Sequence, residues 1–189
     1  MDKKVFLLLS FSFIVLFSIK SFSQQIDNKL NSVDSLIQFL AENEDNREIY
    51  FEIDTDGEII KRKKILSLFK IIKSKAWFAE TYILKDTVLC KLTIGTREYI
   101  NKKGSESTNT IENFIFDNEK LCYYNEMKYY EQHDKKDSLI YEVEYYVDNK
   151  SIIDYNSKGN FQSDSSEYLD KIILKVIRKT ENKDFLLRR

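Results

Sequence analysis

Proline is missing from the 189 residues, and glycine occurs only four times. A chain so poor in both turn-formers has little capacity for irregular loops or flexible linkers, and points to long regular elements with short connections. Histidine occurs once, at His133. One imidazole excludes any multi-histidine metal site, and none of the other residue patterns implies a metal or a cofactor. Cysteine occurs twice, at Cys90 and Cys122, which is no disulfide framework. No glycine-rich phosphate loop, nucleophile elbow or CxxC pair is present. Nor does one sign of charge dominate. Thirty Lys and Arg against 31 Asp and Glu leave a formal charge of −1, so the chain as a whole has no pull toward nucleic acid.

What is present begins with an export pattern. Met1 to Lys4 is a short cationic start, residues 5–19 are apolar except for Ser10, Ser12 and Ser18, and residues 20–25 are small or polar apart from Phe22. That is the three-part form of a secretory signal peptide, with cleavage expected after Ser23. The apolar run is shorter than the roughly 20 residues a spanning helix needs, so no membrane span is expected after cleavage. No cysteine near the exit offers a site for a lipid anchor. The division is therefore a signal peptide over 1–23 and one domain over 24–189, secreted or periplasmic. Its 166 residues are enough to bury a core. Losing Asp2, Lys3, Lys4 and Lys20 takes the net charge to −3.

The mature chain opens with Ile26, Leu30, Val33, Ile37 and Leu40, spaced by three and four, which predicts a helix over about 27–42. Ile49, Phe51 and Ile53, then Asp54, Thr55, Asp56 and Gly57, then residues 58–60 predict a first hairpin turning at Asp56 and Gly57. Ile65, Leu68, Phe69 and Ile72 fit a short helix, with a long twisted strand over residues 61–73 as the alternative. Trp77, Ala79, Thr81 and Ile83 lead to Lys85 and Asp86, and Val88, Cys90, Leu92 and Ile94 lead away, a second hairpin. A strand near 97–100 and an exposed polar loop over 101–110 follow. Residues 114–125 and 145–156 then align position for position as strand, Asp-Asn turn, strand. Asp164 and Glu167 form a capping box before Tyr168, Leu169, Ile172, Ile173, Val176 and Ile177, a second amphipathic helix. The tail at 185–187 is apolar enough to fold back on the sheet. The fold class is α+β: one curved antiparallel meander of about seven to nine strands, with an N-terminal and a C-terminal helix packed on it.

Few residues carry chemistry. His133 sits in a polar bend, where a solvated loop residue is the expected role. Asp54 to Glu58 resembles the start of a calcium loop. Ile59 and Ile65, however, stand where glycine and a bidentate glutamate are required. The basic run from Lys61 to Lys64 is expected to solvate an element end, with phosphate or anionic lipid as the alternative. Glu142 and Glu144 share a strand face and are the weak acid–base candidates. Alternation places Cys90 toward the core and Cys122 away from it, so no bond between them is expected unless a bulge intervenes.

The same alternation assigns Leu139, Tyr141, Val143, Tyr145 and Val147 to the core, with Tyr123 and Tyr129. It leaves Tyr124, Tyr130 and Tyr146 on an outer face as candidate binding residues, because tyrosine combines an amphipathic ring with little entropy loss on binding. The expected function is a non-enzymatic binding or interaction protein of the bacterial envelope. It would present a sheet face or pocket to a protein, an apolar ligand or a glycan. The alternatives are a glycosidase-like hydrolase using Glu142 and Glu144, and a structural or inhibitory protein that pairs through a sheet edge.

Overall fold

The computed structural model describes the backbone of residues 3–42, 49–65, 68–85, 88–100, 105–133, 135–161 and 165–187. It describes their side chains except at 3–22, 49–52, 62–65, 68–71, 85, 165, 166 and 181–187. Two units separate, Met1–Glu44 and Asp45–Arg189. The first is one helix, α1 (Lys3–Glu42). It contains the helix expected over 27–42 and extends it back through the apolar run, so the expected cleavage point lies inside it. Val33 is buried, while Ile26, Leu30, Ile37 and Leu40 are half-buried, as the three-and-four spacing requires. Among the described residues no helix is long and apolar enough to cross a membrane.

The second unit holds β1 (Ile49–Ile65), β2 (Leu68–Lys85), β3 (Val88–Tyr99), β4 (Glu106–Asp117), β5 (Lys120–Gln132), β6 (Ser138–Asp148), β7 (Ser151–Gly159) and α2 (Ser165–Leu187). The strands form one antiparallel sheet in the order β1 to β7, an open meander not closed into a barrel. This is the α+β class and the strand number that the sequence predicts.

Turn chemistry explains the two aligned segments. Asn118 and Glu119 have φ of 49° and 64°, and Asn149 and Lys150 have φ of 46° and 67°. Two consecutive left-handed residues make a type I′ turn, whose twist matches that of the strands it joins. The aspartates, Asp117 and Asp148, are therefore the last strand residues, paired with Lys120 and Ser151.

Just beyond each turn the ladder slips by one. Phe116 faces Leu121 but Ile115 faces Tyr123, so Cys122 is extra; Val147 faces Ile152 but Tyr146 faces Asp154, so Ile153 is extra. The β2–β3 hairpin repeats this, with Leu84 facing Leu89, Ile83 facing Lys91, and Cys90 extra. Each bulge reverses which residues face the helix. Leu89 and Leu92, and Leu121 and Tyr124, consequently share one face of the sheet three residues apart.

That face carries the core. A row of cross-strand neighbours runs Tyr82, Leu92, Phe114, Tyr124, Tyr145, Tyr155. Phe114 lies 5.0 Å from Tyr124 between ring centroids, and Tyr145 stacks on Tyr155 at 6.1 Å. From α2, Leu169 and Ile172 close over the row, with Tyr168, Ile173 and Val176 beside them. Burying each of the inner rings, Tyr82, Phe114, Tyr124 and Tyr145, contributes on the order of 2–3 kcal/mol.

Four local expectations are corrected. Residues 54–57 are not a turn: β1 runs straight through them, Asp56 pairing with Trp77 and Gly57 with Ala76. Gly57 serves another purpose, because a Cβ there would stand 2.9 Å from the Phe78 ring, so the missing side chain makes room for an aromatic lying across the strand. The helix expected at 65–72 is strand on both sides of residues 66–67, which lie outside the described residues. Its three-and-four spacing of Ile and Phe is equally compatible with a β-rich pair, and the cross-strand partner decides. The loop expected over 101–110 is shorter, since β4 begins at Glu106. Residues 185–187 continue α2 rather than folding back. Asp164, the expected helix cap, lies outside the described residues.

Candidate functional site

The three tyrosines do not form one surface. Tyr124 is 1% exposed and lies at the centre of the core, packed between Phe114 and Tyr145 beneath Tyr168. The reason is the bulge at Cys122, which turns Tyr124 inward and Tyr123 outward. Tyr130 is on the same side as Tyr124 but near the far end of β5, hydrogen-bonded to Glu106. Tyr146 is on the opposite face, where its ring meets Tyr123 edge-on at 5.2 Å. Leu139 is also displaced: Ile140 is extra where β6 pairs with β5, which leaves Leu139 45% exposed opposite Tyr129.

Glu142 and Glu144 lie with Tyr146 on the face away from α2, and both are engaged. Glu142 accepts a hydrogen bond from Lys158 at 3.1 Å, and Glu144 accepts from Tyr123 at 2.7 Å and from Asn156 at 3.3 Å. Cys90 and Cys122 are both thiols. Both are bulge residues, and their sulfurs donate to the carbonyls of Val88 and Ile115 at 3.6 and 3.4 Å.

The carboxylates that the fold does bring together are others. One cross-strand row reads Glu80, Ile94, Glu112, Glu126, Val143, on the face covered by α2. Glu112 and Glu126 are direct neighbours, 8% and 6% exposed. Buried carboxylates need partners, and α2 supplies them. Tyr168 donates to Glu126, Lys175 pairs with Glu112, and Lys179 pairs with Glu80. The spacing of four, three and four from Tyr168 through Ile172 and Lys175 to Lys179 is one helix face. Eleven residues of helix advance about 16 Å, and the three strand intervals from Glu126 to Glu80 span about 14 Å. The helix thus lies along the row, matching it group for group.

The sheet's own tyrosines complete the satisfaction. Tyr124 Oη lies 2.6 Å from Glu126 and 3.0 Å from Glu112, Tyr141 also donates to Glu126, and Tyr82 donates to Glu80 at 2.6 Å. Glu126 therefore accepts from three phenols. Burial is the main cause that pushes the Tyr82, Tyr124, Tyr141 and Tyr168 hydroxyls well above their ordinary range. Their glutamate partners, as hydrogen-bond acceptors and as negative charges, add to it. Roofed by a helix and internally saturated, the row has the composition of an acid–base site and the connectivity of a strut.

An open site lies elsewhere, at the end of β3, β4 and β5. A cleft of about 290 Å³ is lined by Arg97, Ser105, Ser107, Glu131, Gln132, His133 and Asp137. Arg97 pairs with Glu131, and Ser107 and Asn109 also donate to that carboxylate, Ser107 at 3.0 Å. Arg97 Nε reaches Ser107 Oγ at 3.2 Å, and its guanidinium lies 5.8 Å from the Tyr99 ring centroid. His133 is exposed at the rim, its backbone N–H bonded to the Ser105 carbonyl at 3.0 Å.

Apart from His133, none of these residues stands out in the sequence. Arg97, Ser107 and Glu131 come from three strands, and only the pairing of Tyr99 with Ser107 and Ser107 with Glu131 brings them together. Among the described residues no cluster of His, Cys, Asp and Glu has the arrangement of a metal site. No family model, curated protein or solved structure matches the chain.

Proposed function

We propose that the protein is an exported, non-enzymatic binding protein of the bacterial envelope that takes a small glycan in the polar cleft at the end of β3–β5. The observation that carries this reading is the division of labour between the two faces of chemistry. The buried glutamates and tyrosines are used up holding α2, and the open concavity is lined only by polar and charged side chains. An apolar ligand finds the apolar side of the sheet occupied by α2. A ligand rich in hydroxyls finds in the cleft a guanidinium, two carboxylates, an amide and hydroxyls, each able to donate or accept. Its volume is at the low end for ligand clefts, which fits a short saccharide. The Arg97–Glu131 pair is prepositioned by Ser107 and Asn109, so less ordering remains for binding to complete.

Exported material should begin at Gln24 by N-terminal sequencing. Titration of ¹⁵N-labelled protein with neutral and acidic oligosaccharides should shift the amides of Arg97, Ser105, Gln132 and His133 together. Arg97→Ala should abolish those shifts while the rest of the spectrum stays in place. Shifts confined to the Tyr123–Tyr146 side would sink the reading, and release of new reducing ends would replace it with the hydrolase alternative.

A further inference from the structure

The β1–β2 hairpin outruns the sheet it belongs to. The pairing of β3 with β2 stops at Ala76↔Glu98, yet β1 and β2 continue for eight more pairs, from Glu58↔Lys75 to Ile65↔Leu68. At about 3.3 Å per residue this two-stranded extension projects about 26 Å past the neighbouring strand. Both sides of its base are uncovered. Ile60, paired with Lys73, is 58% exposed, and Ile72, paired with Lys61 and so on the other side, is 40% exposed.

Its composition is unlike that of the rest of the chain. Residues 58–75 contain seven Lys or Arg, one acidic residue and eight Ile, Leu or Phe, a net of +6 within a protein of net −1. The register sorts them by height. Ile65↔Leu68 is the outermost pair, Lys64↔Phe69 is next, then Lys63↔Lys70 and Arg62↔Ile71. The extension has an apolar end and a basic collar directly behind it.

An isolated two-stranded ribbon is marginal in water, and one that ends in an apolar pair behind which basic residues gather calls for a partner at its end. The charge selects an anionic one. Nucleic acid would use the lysines, but single-strand binders add several stacking aromatics, whereas Phe69 is the only aromatic in the segment. A bilayer with anionic headgroups uses both features. Apolar residues settle about 5–10 Å into the boundary between headgroups and acyl chains, and Lys and Arg stems lie along it with their charges among the phosphates.

We propose that the β1–β2 extension docks this protein end-on to an anionic bilayer, with its outer pairs, from Lys63↔Lys70 to Ile65↔Leu68, at the level of the headgroups. The docking is independent of the polar cleft.

The test is sedimentation with vesicles, using the protein in the form the producing cell accumulates. Vesicles containing phosphatidylglycerol should bind it, pure phosphatidylcholine vesicles should not, and added salt should weaken the binding. Joint replacement Lys63→Ser and Lys64→Ser should weaken binding roughly thirtyfold, from the contribution of each cation near an anionic surface. Phe69→Trp supplies a reading that needs no loss of function: its emission should be quenched by lipid brominated on the acyl chains. Equal binding to both vesicle types, an unaffected lysine variant, or no quenching would each overturn the proposal. So would binding of single-stranded DNA as tight as that of the anionic vesicles.

Discussion

At the scale of single residues, the backbone shows where this sequence is not at its optimum and where it has no freedom. Glu119 and Lys150 occupy the second position of their turns with φ of 64° and 67°, a region that costs a side-chain-bearing residue roughly 1–2 kcal/mol and glycine almost nothing. Glu119→Gly and Lys150→Gly should therefore each raise stability by about 0.5–1 kcal/mol, after glycine's greater entropy in the unfolded chain is subtracted. The midpoint of urea unfolding is the check, and a fall in either variant would refute the turn assignment. Gly159 is the opposite case. Its φ is 77°, and a Cβ would stand 2.3 Å from the Ile140 carbonyl oxygen, which also accepts the Asn160 N–H at 3.1 Å. Gly159→Ala must move backbone, and should cost at least about 2 kcal/mol in the same measurement. Glu126 offers a third test. Glutamine keeps its volume but supplies one carbonyl acceptor for three phenols, so Glu126→Gln should destabilise by about 2 kcal/mol. A site kept for catalysis rather than structure would give no such loss.

At the scale of elements, α2 is held by matched spacing more than by any single contact. Lys175→Met retains the apolar stem but removes the ammonium, so that among the described residues the Tyr124 hydroxyl is the donor left to the buried Glu112. The expected cost is about 2 kcal/mol, below the 3–5 of a fully buried pair because Lys175 keeps 38% of its side chain in solvent. Double replacement Lys175→Met with Glu112→Leu should recover most of it, and a thermal-melt cycle of the two singles and the double measures this coupling. The periodicity of α2 is plain in the sequence, and so are the strand number and the two aligned hairpins, though their turns fall one residue later than the Asp-Asn pairs, because these depend on neighbours within a few residues. The faces are not. Alternation carried forward from Leu121 puts Tyr123 in the core, and one bulge at Cys122 exchanges it for Tyr124. Bulges are settled by which register buries more apolar surface across the sheet, which no local window contains. The same holds for the carboxylate row and the cleft. Glu80, Glu112 and Glu126 are separated by 32 and 14 residues and become one row only through three strand pairings.

At the scale of the whole molecule, the buried phenols set the alkaline limit of the fold. Desolvation, then the neighbouring carboxylates, push the hydroxyls of Tyr82, Tyr123, Tyr124, Tyr141 and Tyr168 above their ordinary value of 10.0. A neutral acid whose folded pKa is raised keeps its proton when the unfolded chain has lost it. Its contribution is therefore complete below pH 10 and is lost as pH rises through the folded value. Each phenol held protonated adds a slope of about 1.4 kcal/mol per pH unit above pH 10, so five of them exhaust a typical stability within one or two units. On the acid side Glu98 acts in the opposite sense. Burial works to raise its carboxyl, but hydrogen bonds from Lys61 and Ser74 outweigh this and hold it low, so its contribution is present above the ordinary carboxylate range and disappears as pH falls. The alkaline transition should consequently be steep. The phenolate absorbance that belongs to these five hydroxyls should rise together with the loss of far-UV ellipticity, in one step above pH 10. Tyr82→Phe and Tyr168→Phe together remove two of the titrating groups, and should make that step shallower and move it to higher pH relative to the variant's neutral stability. A gradual absorbance change centred on pH 10 with ellipticity intact would mean that these hydroxyls are not buried against carboxylates, and the strut beneath α2 would fall with them.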